Sequence, residues 1–208
     1  MPGSAPFLIA GGPDFRSEKL TTYEIGYRSQ PAPYASYSIS TFYNAYDELR
    51  SVEASPGGGL PFVISNKMEG STYGIEMWGS YRVHDWWQLK AGYNYLKKEL
   101  RFTPDSRDTL GVQAAGNDPA HQFSVRSTMT LANRTEFEMG LRSIGALPNP
   151  NVPAYVAFDA RLGWQVAKDI EVSLAGFNLF DNRHPEFGAL TARSEIGRKI
   201  YAKILWNF

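Results

Sequence analysis

The chain ends Lys199-Ile200-Tyr201-Ala202-Lys203-Ile204-Leu205-Trp206-Asn207-Phe208, and this stretch decides the fold. Ile200, Ala202, Ile204, Trp206 and Phe208 fall on one side of an extended backbone. Lys199, Tyr201, Lys203 and Asn207 fall on the other, with Leu205 the single apolar exception. Successive side chains of a β-strand point to opposite faces, so period-2 alternation marks a strand with one apolar and one polar face. Working back along the chain, residues 155–166 repeat the pattern: Val156, Phe158, Ala160, Leu162 and Trp164 oppose Asp159, Arg161, Gly163 and Gln165. Tyr73, Ile75, Met77, Tyr81 and Val83 oppose Glu76, Ser80 and Arg82; Trp87, Leu89, Ala91, Tyr93 and Tyr95 oppose Gln88, Lys90, Asn94 and Lys98. Fainter versions lie at 20–28, 34–46, 121–131, 134–143 and 169–179.

The pattern predicts about nine strands of roughly 9–13 residues, the length a tilted strand needs to cross a bilayer. Strands of soluble domains are shorter, about 5–6 residues. The expected connections alternate short and long. Ser29–Ala32, Val83–Asp85, Ala132–Asn133 and Ala167–Lys168 are short; 47–71, 99–120, 144–154 and 180–196 are long and rich in Gly, Pro, Asn and Asp. Tight turns at one end and long loops at the other characterise outer-membrane barrels, whose apolar face meets lipid while the polar face lines the lumen. Tyr73, Tyr81, Trp87, Tyr95, Trp164 and Trp206 are expected near strand ends on the apolar face, where amphipathic rings suit a membrane–water interface. In a soluble sandwich the same residues would be core side chains near its rims.

Composition removes several function classes. Twenty-one basic and 21 acidic residues give no net charge, hence no basic excess with which to neutralise nucleic-acid phosphates. There is no cysteine, which excludes disulfides and thiolate sites, and His84, His121 and His184 are too scattered for a metal motif. No run approaches the length of a membrane helix, and Met1-Pro2-Gly3-Ser4 does not open a signal peptide. No G-x-S-x-G elbow, P-loop or H-E-x-x-H is present. Gly57-Gly58-Gly59 matches a phosphate loop in composition only, and His184-Pro185-Glu186 would need a further ligand from elsewhere to hold a metal. No cofactor is implied.

The segment Asn178-Leu179-Phe180-Asp181, the following loop, Gly197-Arg198 and the closing strand resemble the end of the barrel in TonB-dependent receptors. Ser17–Arg28 (SEKLTTYEIGYR) and Gly74-Ile75-Glu76 resemble internal motifs of the same family. The resemblance spans residues 14–208. It implies an all-β, antiparallel up-and-down transmembrane barrel, here about the last nine of the family's twenty-two strands. It further implies a bacterial outer-membrane receptor for energy-coupled uptake of a scarce bulky solute such as a ferric siderophore or cobalamin. Ligand contacts would come from the long loops, where Phe62, Arg101, Phe102, Arg107 and Phe187 are candidates. Phe208, Trp206 and Ile204 resemble the signal read by the barrel assembly machinery, a strand edge offered for β-augmentation. The family's plug and its TonB-contacting segment are not recognisable, so residues 1–208 are expected to be one partial barrel domain, reaching TonB only through an N-terminal region outside it. An odd strand count points the same way. A passive porin or a barrel enzyme is the alternative. Glu24, Arg28, Glu76, Arg82, Lys90, Glu136, Glu138, Arg142, Asp159, Arg161, Glu171 and Lys199 should face the lumen, mostly as cross-strand ion pairs.

Overall fold

The computed structural model describes residues 8–11, 14–55, 57, 60–108, 110–115, 117–132 and 134–208. Gly58, Gly59, Asn133 and the Met1–Ser4 start lie outside them. The fold is all-β, as expected. In chain order the strands are β1 (Ile9–Ala10), β2 (Lys19–Ala32), β3 (Ala35–Glu53), β4 (Phe62–His84), β5 (Trp87–Phe102), β6 (His121–Leu131), β7 (Thr135–Ile144), β8 (Leu147–Pro148), β9 (Asn151–Val152), β10 (Tyr155–Ala167), β11 (Ile170–Phe177), β12 (Arg183–Pro185), β13 (Glu195–Gly197) and β14 (Lys199–Trp206). Among the described residues the nine long strands pair in the order β14-β11-β10-β7-β6-β5-β4-β3-β2, a meander in which neighbours in sequence are neighbours in space. No helix of the described residues is long and apolar enough to cross a membrane.

The register shows why alternation was readable. Gln88, Thr128, Glu138, Arg161, Ala175 and Tyr201 form one row across β5, β6, β7, β10, β11 and β14. The adjoining row, on the opposite face, is Trp87, Met129, Phe137, Leu162, Leu174 and Ala202. A slip of one residue in any strand would mix the two faces. The apolar rows are not a core. Leu162 is 47% exposed, Leu174 54%, Ile204 73% and Trp206 67%, while the buried apolar side chains among the described residues are only Met68, Val152 and Ala157. A soluble sandwich buries its apolar face against a second sheet; this one turns it outward.

Contacts divide the chain into two compact units. One comprises Gly26–Ser40, Ile75–Leu96 and Asp118–Phe208. There the polar face carries the expected ion pairs: Arg161 lies 3.5 Å from Glu136 and bonds Glu171 directly. Arg28 packs over the Trp78 ring at 5.7 Å. On the apolar face Trp87 donates its indole N–H to Ser127 Oγ at 2.9 Å.

The other unit comprises the described residues up to Ile25, Thr41–Gly74 and Lys97–Asn117. Here the expected loops are corrected. The connections at 47–71 and 99–120 shrink because β3 runs on to Glu53, β4 starts at Phe62 and β5 continues to Phe102, which leaves Tyr95 inside its strand. Period 2 fails there for a physical reason. Glu48 sits at φ 56° and Gly70 at φ 149°, irregularities that shift the facing of the residues beyond them. Gly70 has no alternative, since a Cβ would lie 2.2 Å from the Glu99 carbonyl oxygen. The loops at 144–154 and 180–196 contain the hairpins β8–β9 and β12–β13. The first short turn falls at Pro33–Tyr34 rather than Ser29–Ala32, because Pro31 is accommodated in β2, an edge strand of the sheet path.

Candidate functional site

In the unit built on the ends of β3, β4 and β5, two carboxylates fasten the 103–111 segment. Buried Glu53 accepts from Ser106 Oγ at 2.9 Å and from the Arg107 amide. Asp108 accepts the amides of Val52 (2.6 Å), Leu110 (2.7 Å) and Gly111 (2.9 Å). Each acid thus replaces ladder partners that backbone N–H groups would otherwise lack. Thr103 Oγ1 donates to Asp105 Oδ1 at 2.7 Å, and Lys67 Nζ lies 3.1 Å from Asp105 Oδ2. These bonds hold the Asp105 carboxyl below its ordinary range, the Thr103 hydrogen bond contributing most.

Beside this clamp lies a cleft of about 440 Å³ lined by Tyr43, Tyr46, Asp47, Glu69, Glu99 and Arg101. Arg101 reaches one oxygen of Glu69 through both Nε (2.9 Å) and a terminal nitrogen (2.8 Å). Tyr73 donates its hydroxyl to Glu99 at 3.2 Å. With Arg101 already paired, the cleft offers tyrosine faces and hydrogen-bond acceptors rather than a free cation.

Of the candidates from sequence, Arg101 alone lies in this cleft. Phe62 is half-buried, its amide donating to the Leu8 carbonyl where β1 pairs with β4. Phe102 closes β5, and Arg107 is engaged through its backbone with Glu53 and Ala54. Phe187 is exposed and belongs to the other unit. Tyr43, Tyr46 and Glu69 were missed, since only the register between three strands brings them together.

At the top of the other unit the Asn178–Asp181 motif acquires a physical role. Asn178 is buried at φ 54°; its amide donates to Asp159 Oδ1 (2.8 Å) and its side chain to the Ile196 carbonyl (3.1 Å). The Leu179 amide donates to the Phe158 carbonyl at 2.8 Å, and Phe180 stacks on Phe158 at 4.5 Å. The chain therefore turns sharply out of β11 and starts the β12–β13 hairpin from a fixed point. His184, 5% exposed, stacks on Tyr155 at 4.1 Å. Its ring nitrogens face Asp181 (3.1 Å) and Glu186 (3.2 Å), and Glu186 also pairs with Arg142 at 2.9 Å. No group of acids and histidines among the described residues is arranged to hold a metal.

At the other end of the chain, Ile204 and Trp206 point outward from β14, whose second edge is unpaired among the described residues. The strand ends at Trp206. The Asn207 amide continues the ladder to Asp169 at 2.9 Å, and the exposed Phe208 ring packs edge-on to Trp206 at 6.2 Å.

An outward apolar face on a long antiparallel meander defines a membrane-barrel wall. Residues 2–179 match the family model described as TonB dependent receptor-like, beta-barrel, and the chain belongs to that family, whose place is the bacterial outer membrane. It is 23% identical over 191 residues to the pesticin receptor of Yersinia enterocolitica, covering 88% of this chain and 28% of the relative. It is 25% identical over 177 residues to the catecholate siderophore receptor Fiu of Escherichia coli, covering 81% of this chain and 22% of the relative. The chain thus spans under a third of the curated relatives it matches. In fold it is similar to the FrpB iron transporter from Neisseria meningitidis, with a TM-score of 0.80 at 15% identity over 97% of this chain and 33% of that one.

Proposed function

We propose that this chain forms the closing part of the barrel of a receptor that imports a scarce, bulky solute, of the ferric siderophore kind, across the outer membrane with energy supplied from elsewhere. The observation that carries the reading is the sheet whose apolar rows face outward while its charges pair on the opposite face, in a chain of this receptor family. Relatives named as siderophore and pesticin receptors support it. On this reading residues 1–208 are a partial barrel domain, and the plug and the TonB-contacting segment lie outside them. Ile204, Trp206 and Phe208 would serve the barrel assembly machinery, and the Tyr43–Arg101 cleft would contact ligand. The chain would carry out no chemistry of its own.

The test is uptake. Cells lacking the receptor gene are supplied in turn with radiolabelled ferric catecholate, hydroxamate and carboxylate siderophores. Loss of uptake for one class, with uptake in the parent abolished when the proton gradient is collapsed, supports the proposal. Uptake that persists without the gradient would overturn it in favour of a passive pore.

A further inference from the structure

The β12–β13 hairpin docks on the polar face through one buried side chain, His184 of β12, which stacks on Tyr155 at 4.1 Å. Tyr155 opens β10 and Arg142 lies near the end of β7, and both share the parity of Arg161 and Glu138. Each ring nitrogen of His184 is answered by a carboxylate: Nδ1 lies 3.1 Å from Asp181 Oδ2 and Nε2 lies 3.2 Å from Glu186 Oε1. An ionised carboxylate only accepts, and a neutral imidazole has one N–H and one bare nitrogen. Only the doubly protonated ring donates to both.

The same Glu186 oxygen accepts from Arg142 at 2.9 Å, and the Arg142 guanidinium stands 5.7 Å from the centre of the Tyr155 ring. The charged and titratable groups facing the histidine are therefore Asp181 and Glu186 from its own segment, Arg142 from β7 and Tyr155 from β10. Ile196 of β13 is its neutral partner across the hairpin. With the ring protonated, two cations meet two carboxylates and the cluster is balanced. Removing the proton sets a bare nitrogen against a carboxylate oxygen and leaves one negative charge in excess. The ring's charge reaches the wall twice, through Glu186 to Arg142 and through the stack, because a cation gains from the face of a tyrosine. A ring turned to solvent makes neither contact. Docking is thus favoured while His184 is protonated and weakens as rising pH removes the proton.

We propose that His184 is a pH-sensitive latch, which holds the β12–β13 hairpin against the polar face in mildly acidic medium and lets it swing off in alkaline medium. The hairpin and its flanks also carry Arg183, Arg193 and Arg198 round a cavity of about 840 Å³, so the latch sets where that cationic surface stands. The inference rests on the docked hairpin and not on which solute the receptor carries.

The test uses the whole receptor extracted from outer membranes into detergent micelles. A nitroxide is attached at Leu190→Cys, an exposed position between β12 and β13. Electron paramagnetic resonance separates mobile from immobile label. Going from about pH 5.5 to about pH 8.5 should raise the ratio of mobile to immobile label about tenfold, the effect of losing one hydrogen bond to a charged group. His184→Phe keeps a ring on Tyr155 with no proton to lose, so its spectrum should be the same at both pH values. Asp181→Asn can accept from the charged ring or donate to the neutral one, and its label should stay immobile throughout. His121→Phe, at the start of β6, should respond as the parent does. Heat-modifiability on gels confirms that each variant barrel is folded. A parent ratio indifferent to pH would overturn the latch, as would a parental response in His184→Phe or Asp181→Asn, or a response that vanishes in His121→Phe.

Discussion

The sheet from β5 to β14 and the strand ends of β3, β4 and β5 are built from the same backbone ladder but obey different rules. In the first, two chemically distinct faces are each held to one environment, and the six strands keep one register apart from a shift between Gln165 and Ala167 at the end of β10. In the second, acids such as Glu53 and Asp108 are directed at backbone amides, and positive-φ residues interrupt the alternation. Lipid on one side forces period 2, because a misplaced polar group there finds no partner. Where that demand is absent, side chains can be chosen for local bonding. A strand can therefore be equally well hydrogen-bonded and yet invisible to a periodicity search.

Substitutions sharpen this contrast. The largest effect is expected from Leu174→Arg, in the outward row of β11, which should cost about 2–4 kcal/mol if that row meets the lipid interior. Ala175→Arg, its neighbour on the polar face, should cost less than about 1 kcal/mol; urea unfolding in detergent or vesicles measures both. Equal costs would erase the distinction between the faces. Asn178→Ala should cost roughly 2–3 kcal/mol, because it strains a left-handed residue and orphans the Ile196 carbonyl. Asn178→Gly relieves the strain alone and should recover about 1 kcal/mol of that loss.

Gly70→Ala should cost about 1–3 kcal/mol through the clash with the Glu99 carbonyl, and should do so locally. Limited proteolysis is expected to open the 54–61 and 103–111 connections while β6 to β14 stay resistant. Loss of resistance throughout would show that the two units unfold as one. The smallest effect concerns Asp105. Its folded carboxyl titrates below the ordinary 3.8, so its contribution is complete above that value and is lost as pH falls through the lowered one. Hydrogen exchange of the 103–106 amides should therefore accelerate only in strong acid, and Thr103→Val should move that onset upward.

Strand order and facing were legible from residues such as Ile200, Trp164 and Leu89 because each had a bilayer side to satisfy. The outer ends of β3 to β5 were read as loops since Glu48 and Gly70 break the count, and a glutamate, unlike a glycine, does not announce a positive φ in advance. Asn178 was recognisable only as part of a motif; its buried donors to Asp159 and Ile196 depend on contacts 18 and 19 residues away. Among the ligand candidates, Arg101 was found by its charge, whereas Tyr43 and Tyr46 required the register. Arg183, Arg193 and Arg198 carry no spacing signal, because a hairpin folds them round one cavity.

The bond from Trp87 to Ser127 has a mechanical consequence. An interfacial tryptophan ordinarily fixes the height of its strand by tying its N–H to headgroups. Trp87 has met that need inside the sheet, so its ring ties β5 to β6 rather than β5 to the headgroups. Trp164 and Trp206, exposed on the outward face, have no such internal partner among the described residues. The indole donors left for headgroups are therefore those of β10 and β14, and the backbone ladder carries their hold across the wall to β5.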